Sequence, residues 1–134
     1  MSYDLFVFDP AQAPKSRAAV LEWYGQLMDG DELHFLEPTR CSPNLKDWFA
    51  GMVESFPPLN GELAPKEFPE DESILTDYSF GPTMIYACFA WSKVEEAYKA
   101  VVDAADKARV GFCDISSESA QVWIPSDDGF TEME

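Results

Sequence analysis

The spacing at which apolar residues recur changes repeatedly along this chain, and the order of those changes restricts its fold more than any other feature. Residues 2–8, Ser-Tyr-Asp-Leu-Phe-Val-Phe, alternate and are rich in aromatic and β-branched types, which predicts a strand ended by Asp9-Pro10. Pro14 suits the first turn of a helix running to about Met28, with Val20, Leu21, Tyr24, Leu27 and Met28 on one stripe. Gly30 punctuates it. Ser42-Pro43 reads as N-cap and first residue of a second helix, and Leu45, Trp48, Phe49, Met52, Val53 and Phe56 follow the helical period. The run Phe56-Pro57-Pro58-Leu59-Asn60-Gly61 stops it, and a long polar segment reaches about Ser73. Two strand-like runs, Ile74–Phe80 and Thr83–Ala90, flank Gly81-Pro82 as a hairpin. Ser92-Lys93-Val94-Glu95 has the form of a capping box opening a third helix. The buried face of that helix is expected to comprise Val94, Ala97, Tyr98, Val101, Val102, Ala105 and Ala108. Strands around Val110–Ile115 and Gln121–Ile124 follow, joined by a turn over Ser116–Ser119, and Pro125 ends the pattern.

The resulting order is β-α-α-β-β-α-β-β. Without the second helix and the last strand it is β-α-β-β-α-β, the split βαβ arrangement of ferredoxin-like folds. The expected architecture is α+β, a mainly antiparallel sheet with helices packed on one face. A single domain over residues 1–125 and an acidic tail over 126–134 are expected. Apolar residues make up 46% of the 134 positions, enough for a core despite the charge.

That charge is large. Twenty-five acidic against nine basic side chains leave a formal charge of −16. Such a surface repels nucleic acid phosphate and anionic lipid and speeds encounter with cationic partners. The acids are unevenly placed: Asp29, Asp31, Glu32 and Glu37 form one group, Glu62–Glu72 a second, and Asp127, Asp128, Glu132 and Glu134 a third. All fall in expected loops or the tail, where binding surfaces are carried on a rigid scaffold. The N-terminus shows no basic segment followed by an apolar stretch, and no apolar run approaches the length of a membrane span. Cys41, Cys88 and Cys113 are odd in number and lack CxxC spacing, so reduced thiols and a cytoplasmic location are expected.

Candidate chemistry is sparse. His34 is the only histidine, and Asp31-Glu32-Leu33-His34 with Glu37 lacks the paired spacing of a zinc site, so no metal and no cofactor is expected. Asp114 in Asp114-Ile115-Ser116-Ser117 stands at a strand end, where a carboxylate more often satisfies turn backbone than catalyses. A small enzyme using Asp114 and His34 remains one alternative, and an acidic mimic of nucleic acid another. Neither a GxSxG elbow nor a phosphate-cradling glycine loop is present, and basic residues are isolated. Trp23, off the apolar stripe of its helix, is a candidate exposed aromatic.

Several short stretches together resemble a known group. Met1-Ser2-Tyr3-Asp4-Leu5, Trp48-Phe49 with Phe56-Pro57-Pro58-Leu59-Asn60-Gly61, Phe89-Ala90-Trp91-Ser92 with Ala97, and Gly111-Phe112-Cys113-Asp114-Ile115-Ser116 look like landmarks of small bacterial proteins similar to the immunity proteins of polymorphic or contact-delivered toxin systems. The resemblance spans most of residues 1–125 and brings no catalytic residues with it. It implies a non-enzymatic inhibitor of a cognate protein toxin with a basic surface, binding neither nucleic acid nor membrane. The candidate contacts are the acids Asp29, Asp31, Glu32, Glu37, Glu67, Glu70, Asp71, Glu72, Asp127 and Asp128, with Trp23, Phe68 and Phe130 as aromatic anchors.

Overall fold

The strand β1 (Ser2–Phe8) is apolar on both faces of the sheet, and the architecture follows from that. Tyr3, Leu5 and Val7 point into one buried cluster, while Phe6 and Phe8 point into another. A strand buried on both faces has to be covered twice. The protein, seen in a computed structural model, is described over residues 2–29, 41–59, 64–67, 69–117, 119–127 and 129–134.

The elements run β1, α1 (Arg17–Asp29), α2 (Pro43–Met52), β2 (Asp77–Phe80), β3 (Met84–Ala90), α3 (Val94–Ala108), β4 (Gly111–Cys113), β5 (Val122–Ser126) and β6 (Gly129–Met133). They build an α+β fold around one six-stranded sheet of order β2-β3-β1-β4-β5-β6, in which every neighbouring pair is antiparallel. Short 3₁₀ helices at Glu72–Ile74 and Trp91–Lys93 precede β2 and α3. No helix among the described residues is long and apolar enough to cross a membrane.

On the first face lie α2 and α3. Their interface holds Leu45, Trp48, Phe49 and Met52 of α2 and Ala97, Val101, Ala104 and Ala105 of α3. Gly51 lets the two backbones close up, because a Cβ there would stand 3.3 Å from the Ala104 Cβ. The Trp48 indole, fully buried, donates to the Val101 carbonyl at 3.2 Å and ties the helices together. On the second face α1 packs Val20 and Leu27 against Phe6, Phe8, Cys113 and Val122. The expectation of helices on one face is therefore corrected. The apolar run Leu5-Phe6-Val7-Phe8 supplies both faces with large side chains, and each draws its own helical cover.

Three local expectations also change. The capping box at Ser92–Glu95 does not form. The chain turns directly from β3 into the 3₁₀ helix Trp91–Lys93, so Ser92 lies inside the turn and Lys93 takes the N-cap position without a side-chain cap bond. The second helix stops at Met52 rather than running on to Phe56. Residues 126–134, expected as a tail, contain β6, the second arm of a hairpin whose Ser126–Gly129 pair closes a two-residue loop. Gly129 adopts φ +116° there, a conformation glycine takes without a Cβ penalty. Pro125 is tolerated because β4 pairs only with Val122 and Trp123, so no ladder bond on that side needs its missing N–H.

Asp77, in the edge strand β2, carries a buried Oδ1 with no hydrogen-bond partner among the described residues, and desolvation raises its pKa. A carboxyl whose folded pKa is raised loses stability as pH climbs from its ordinary value through the folded one. Asp77→Asn is therefore expected to raise Tm by a few degrees at neutral pH, and the gain should vanish below a pH of about 4. Thermal melts of both proteins across that range check it.

Candidate functional site

Antiparallel pairing brings the start of β1, the end of β3, the end of β4 and the start of β2 to one end of the sheet. Leaving β3, the chain places Trp91 at that end, and the first turns of α3 place Tyr98 there. Both are large and open, Trp91 with 49% of its surface exposed and Tyr98 with 40%. Neither is loosely held. The Tyr3 ring meets Trp91 at 6.1 Å and an interplanar angle of 75°, and Tyr98 meets buried Phe112 edge-on at 6.2 Å. The Tyr3 hydroxyl donates to Asp114 Oδ2 at 2.8 Å. Burial, then that bond to Asp114, drives the Tyr3 pKa well above the usual phenol range, and burial followed by the Asp114 charge also raises that of Tyr98. These phenols stay protonated and act as donors or apolar surface.

Carboxylates flank this end, with Glu72 on the 3₁₀ helix that contacts Trp91–Lys93 and Asp114 bonded to Tyr3. Asp71 caps the 3₁₀ helix through the Ser73 N–H and also receives the Ser73 hydroxyl. Its carboxylate lies 2.8 Å from the Lys93 ammonium, which first and Ser73 second hold its pKa down to about 2. Lys93 also reaches Glu96 at 4.0 Å, and the bond to Asp71 raises the lysine pKa. Glu95 and Glu96, exposed in the first turn of α3, suit the positive end of its dipole. The site is thus two anchored aromatics with acidic neighbours, among which Lys93 is engaged by Asp71 and Glu96.

The expected contact residues do not converge. Asp71 and Glu72 belong to this end, and Glu67 and Glu70 are exposed in the segment leading to it. Asp127, in the β5–β6 turn, lies at the other end of the sheet. Arg109, the C-cap residue at the far end of α3, donates from its guanidinium to the neighbouring Ser126 carbonyl at 2.5 Å, and α3 is about 22 Å long. Asp29 is the exposed last residue of α1 on the second face. Of the expected anchors, Trp23 is half-buried and edge-on to Phe8 at 6.2 Å, and Phe130 packs edge-on to Phe112 at 5.1 Å. Asp31, Glu32, His34, Glu37, Phe68 and Asp128 lie outside the described residues.

Tyr98, expected in the buried face of its helix, is instead exposed, and Trp91 had no role beyond its place in the strand-end landmark Phe89-Ala90-Trp91-Ser92. The available signal for Trp91 was a large aromatic at the junction of a strand and a polar helix start. For Tyr98 it was a position flanking, rather than within, the stripe of Ala97, Val101, Ala104 and Ala108.

The arrangement offers little nucleophilic chemistry. Burial pushes the thiols of Cys41 up to about 11 and of Cys88 and Cys113 up to about 12, so each is protonated at neutral pH. Cys88 stands in register between Asp4 and Asp77, whose negative charges oppose a thiolate further. Asp114 accepts from the Ser116 N–H at 3.2 Å, and its carbonyl accepts the Ser117 hydroxyl at 2.8 Å, the bonding of a turn. Among the described residues no group of His, Cys, Asp and Glu is placed to hold a metal ion. Comparison of the chain with family models, with curated proteins and with solved structures gives no match.

Proposed function

We propose that this protein is a cytoplasmic, non-enzymatic inhibitor of the immunity type, which neutralises a cognate bacterial toxin by covering a basic surface of it. The observation that carries the reading is the pairing of Trp91 and Tyr98, open at one end of a rigid sheet, with an acidic rim in a chain of charge −16. Exposed aromatics held by buried neighbours supply affinity, while the surrounding carboxylates supply encounter rate and selectivity. The reading rests on this surface and on the short stretches whose sequence resembles that of immunity proteins.

The order β2-β3-β1-β4 supports reading the larger part of the sheet as a ferredoxin-like split βαβ unit, extended by the β5–β6 hairpin and covered on its second face by α1. In that reading α2 and α3 are the paired helices of the unit, and the binding end is where α3 begins.

Co-expression tests the function. The product of the neighbouring gene, toxic when expressed alone, should be rendered harmless by this protein and not by an unrelated acidic domain. The two should form a complex that weakens as salt is added. Toxicity that persists, with no complex at low salt, would contradict the proposal.

A further inference from the structure

We propose that the Trp91–Tyr98 end receives an arginine side chain from the partner's basic surface, with its guanidinium lying on the Trp91 indole and forking to Glu95 and Glu72. The inference rests on the binding role argued above and names the chemistry of its central contact.

Several features select that occupant. Trp91 is supported by Tyr3 yet keeps about half its surface open, so a planar group can stack on it without displacing a core residue. Lys93 is engaged by Asp71 and Glu96, whereas Glu72 and Glu95 form no ion pair among the described residues. Glu95 and Tyr98 are three apart on α3 and neighbour one another on its surface. A cation arriving over Trp91 therefore meets two carboxylates that no Lys or Arg among the described residues pairs with. Guanidinium suits the place better than ammonium. It is planar, weakly hydrated and able to stack on an indole while presenting parallel N–H groups to a carboxylate. An acidic or nucleic acid partner would be repelled, and a second copy of this chain would bring its own −16.

The test needs no toxin. A blocked peptide of alternating glycine and arginine, and its lysine counterpart, are titrated into the isotopically labelled protein at low salt, and backbone, indole and tyrosine resonances are followed. The arginine peptide should shift the Trp91 indole N–H and Tyr98 signals and bind about tenfold more tightly than the lysine peptide. Trp91→Ala should abolish that preference. Glu95→Gln, an exposed and conservative change, should weaken arginine binding by about threefold. Equal affinity for the two peptides, shifts centred on Asp29 or Asp127 with Trp91 unmoved, or no binding at all would overturn the proposal. Because the peptides stand alone, a failed co-expression alongside arginine-selective shifts at Trp91 would sink the inhibitor reading and leave this contact intact. Successful protection without such shifts would do the reverse.

Discussion

Trp48→Ala is expected to destabilise the protein by about 3–5 kcal/mol. Trp48 is wholly buried and heads the fully enclosed side chains by volume, so truncation leaves a cavity between α2 and α3. The change also removes the indole N–H that donates to the Val101 carbonyl and the edge-on contact with Tyr78 at 6.2 Å. Loss of this size should lower Tm by about 10–20 °C for a domain of this length. Trp48→Phe keeps most of the apolar volume and gives up the hydrogen bond, so about 1–2 kcal/mol is expected for it. Chemical denaturation of the three proteins measures both. A Trp48→Ala protein as stable as the parent would mean that α2 does not depend on this anchor.

Gly111→Ala is the second large effect, and it works by overcrowding. Gly111 pairs with Phe8 across β1 and β4, and a Cβ on it would stand 2.3 Å from Phe8 Cζ and 2.5 Å from Cε2. The Phe8 ring is fully buried in the cluster beneath α1, so moving it displaces its neighbours. A loss of about 3 kcal/mol is expected, at the upper end for an added methyl in a packed core. The cause can be isolated. Phe8→Leu costs stability alone, yet it should make Gly111→Ala nearly harmless, with a coupling of about 1–3 kcal/mol in the double-mutant cycle. Independent, additive losses would show that the glycine is needed for another reason.

Most of the element order was legible because it rests on periodicity. The α2 and α3 helices and the β2–β3 hairpin about Gly81-Pro82 form where apolar spacing predicts them. Phe56, however, lies beyond the end of α2, Tyr98 is exposed on α3, and β2 starts at Asp77 because Ile74 belongs to a 3₁₀ helix. Layering was not legible. Leu5-Phe6-Val7-Phe8 reads as a strand under either covering, and only the placement of Val20 and Leu27 against Phe6 and Phe8 shows that α1 takes the second face. β6 was hidden by Pro125 and by Asp127, Asp128, Glu132 and Glu134, residues that suit an edge strand as well as a tail. The site was partly legible. Asp71 and Glu72 were marked by charge, but Trp91 and Tyr98 acquire their meaning from tertiary packing, since it is Tyr3 and Phe112 beneath them that fix them while leaving them open.

Charge alone would have spread the binding surface over three segments, and the fold separates them. With Asp127 at one end of the sheet and Asp71 and Glu72 at the other, a single partner patch of ordinary size would be centred on one of them. The end with the supported aromatics is the one with anchors to offer.

The most direct measurement is the affinity of the neighbouring gene's product for the parent protein, for Trp91→Ala/Tyr98→Ala and for Asp29→Asn/Asp127→Asn, with a thermal melt of each. Binding should fall at least about a hundredfold in the aromatic double variant while its Tm stays within a few degrees of the parent, and it should change no more than a few-fold in the other. Undiminished binding by the aromatic variant, or a larger loss from the Asp29 and Asp127 changes, would contradict the account.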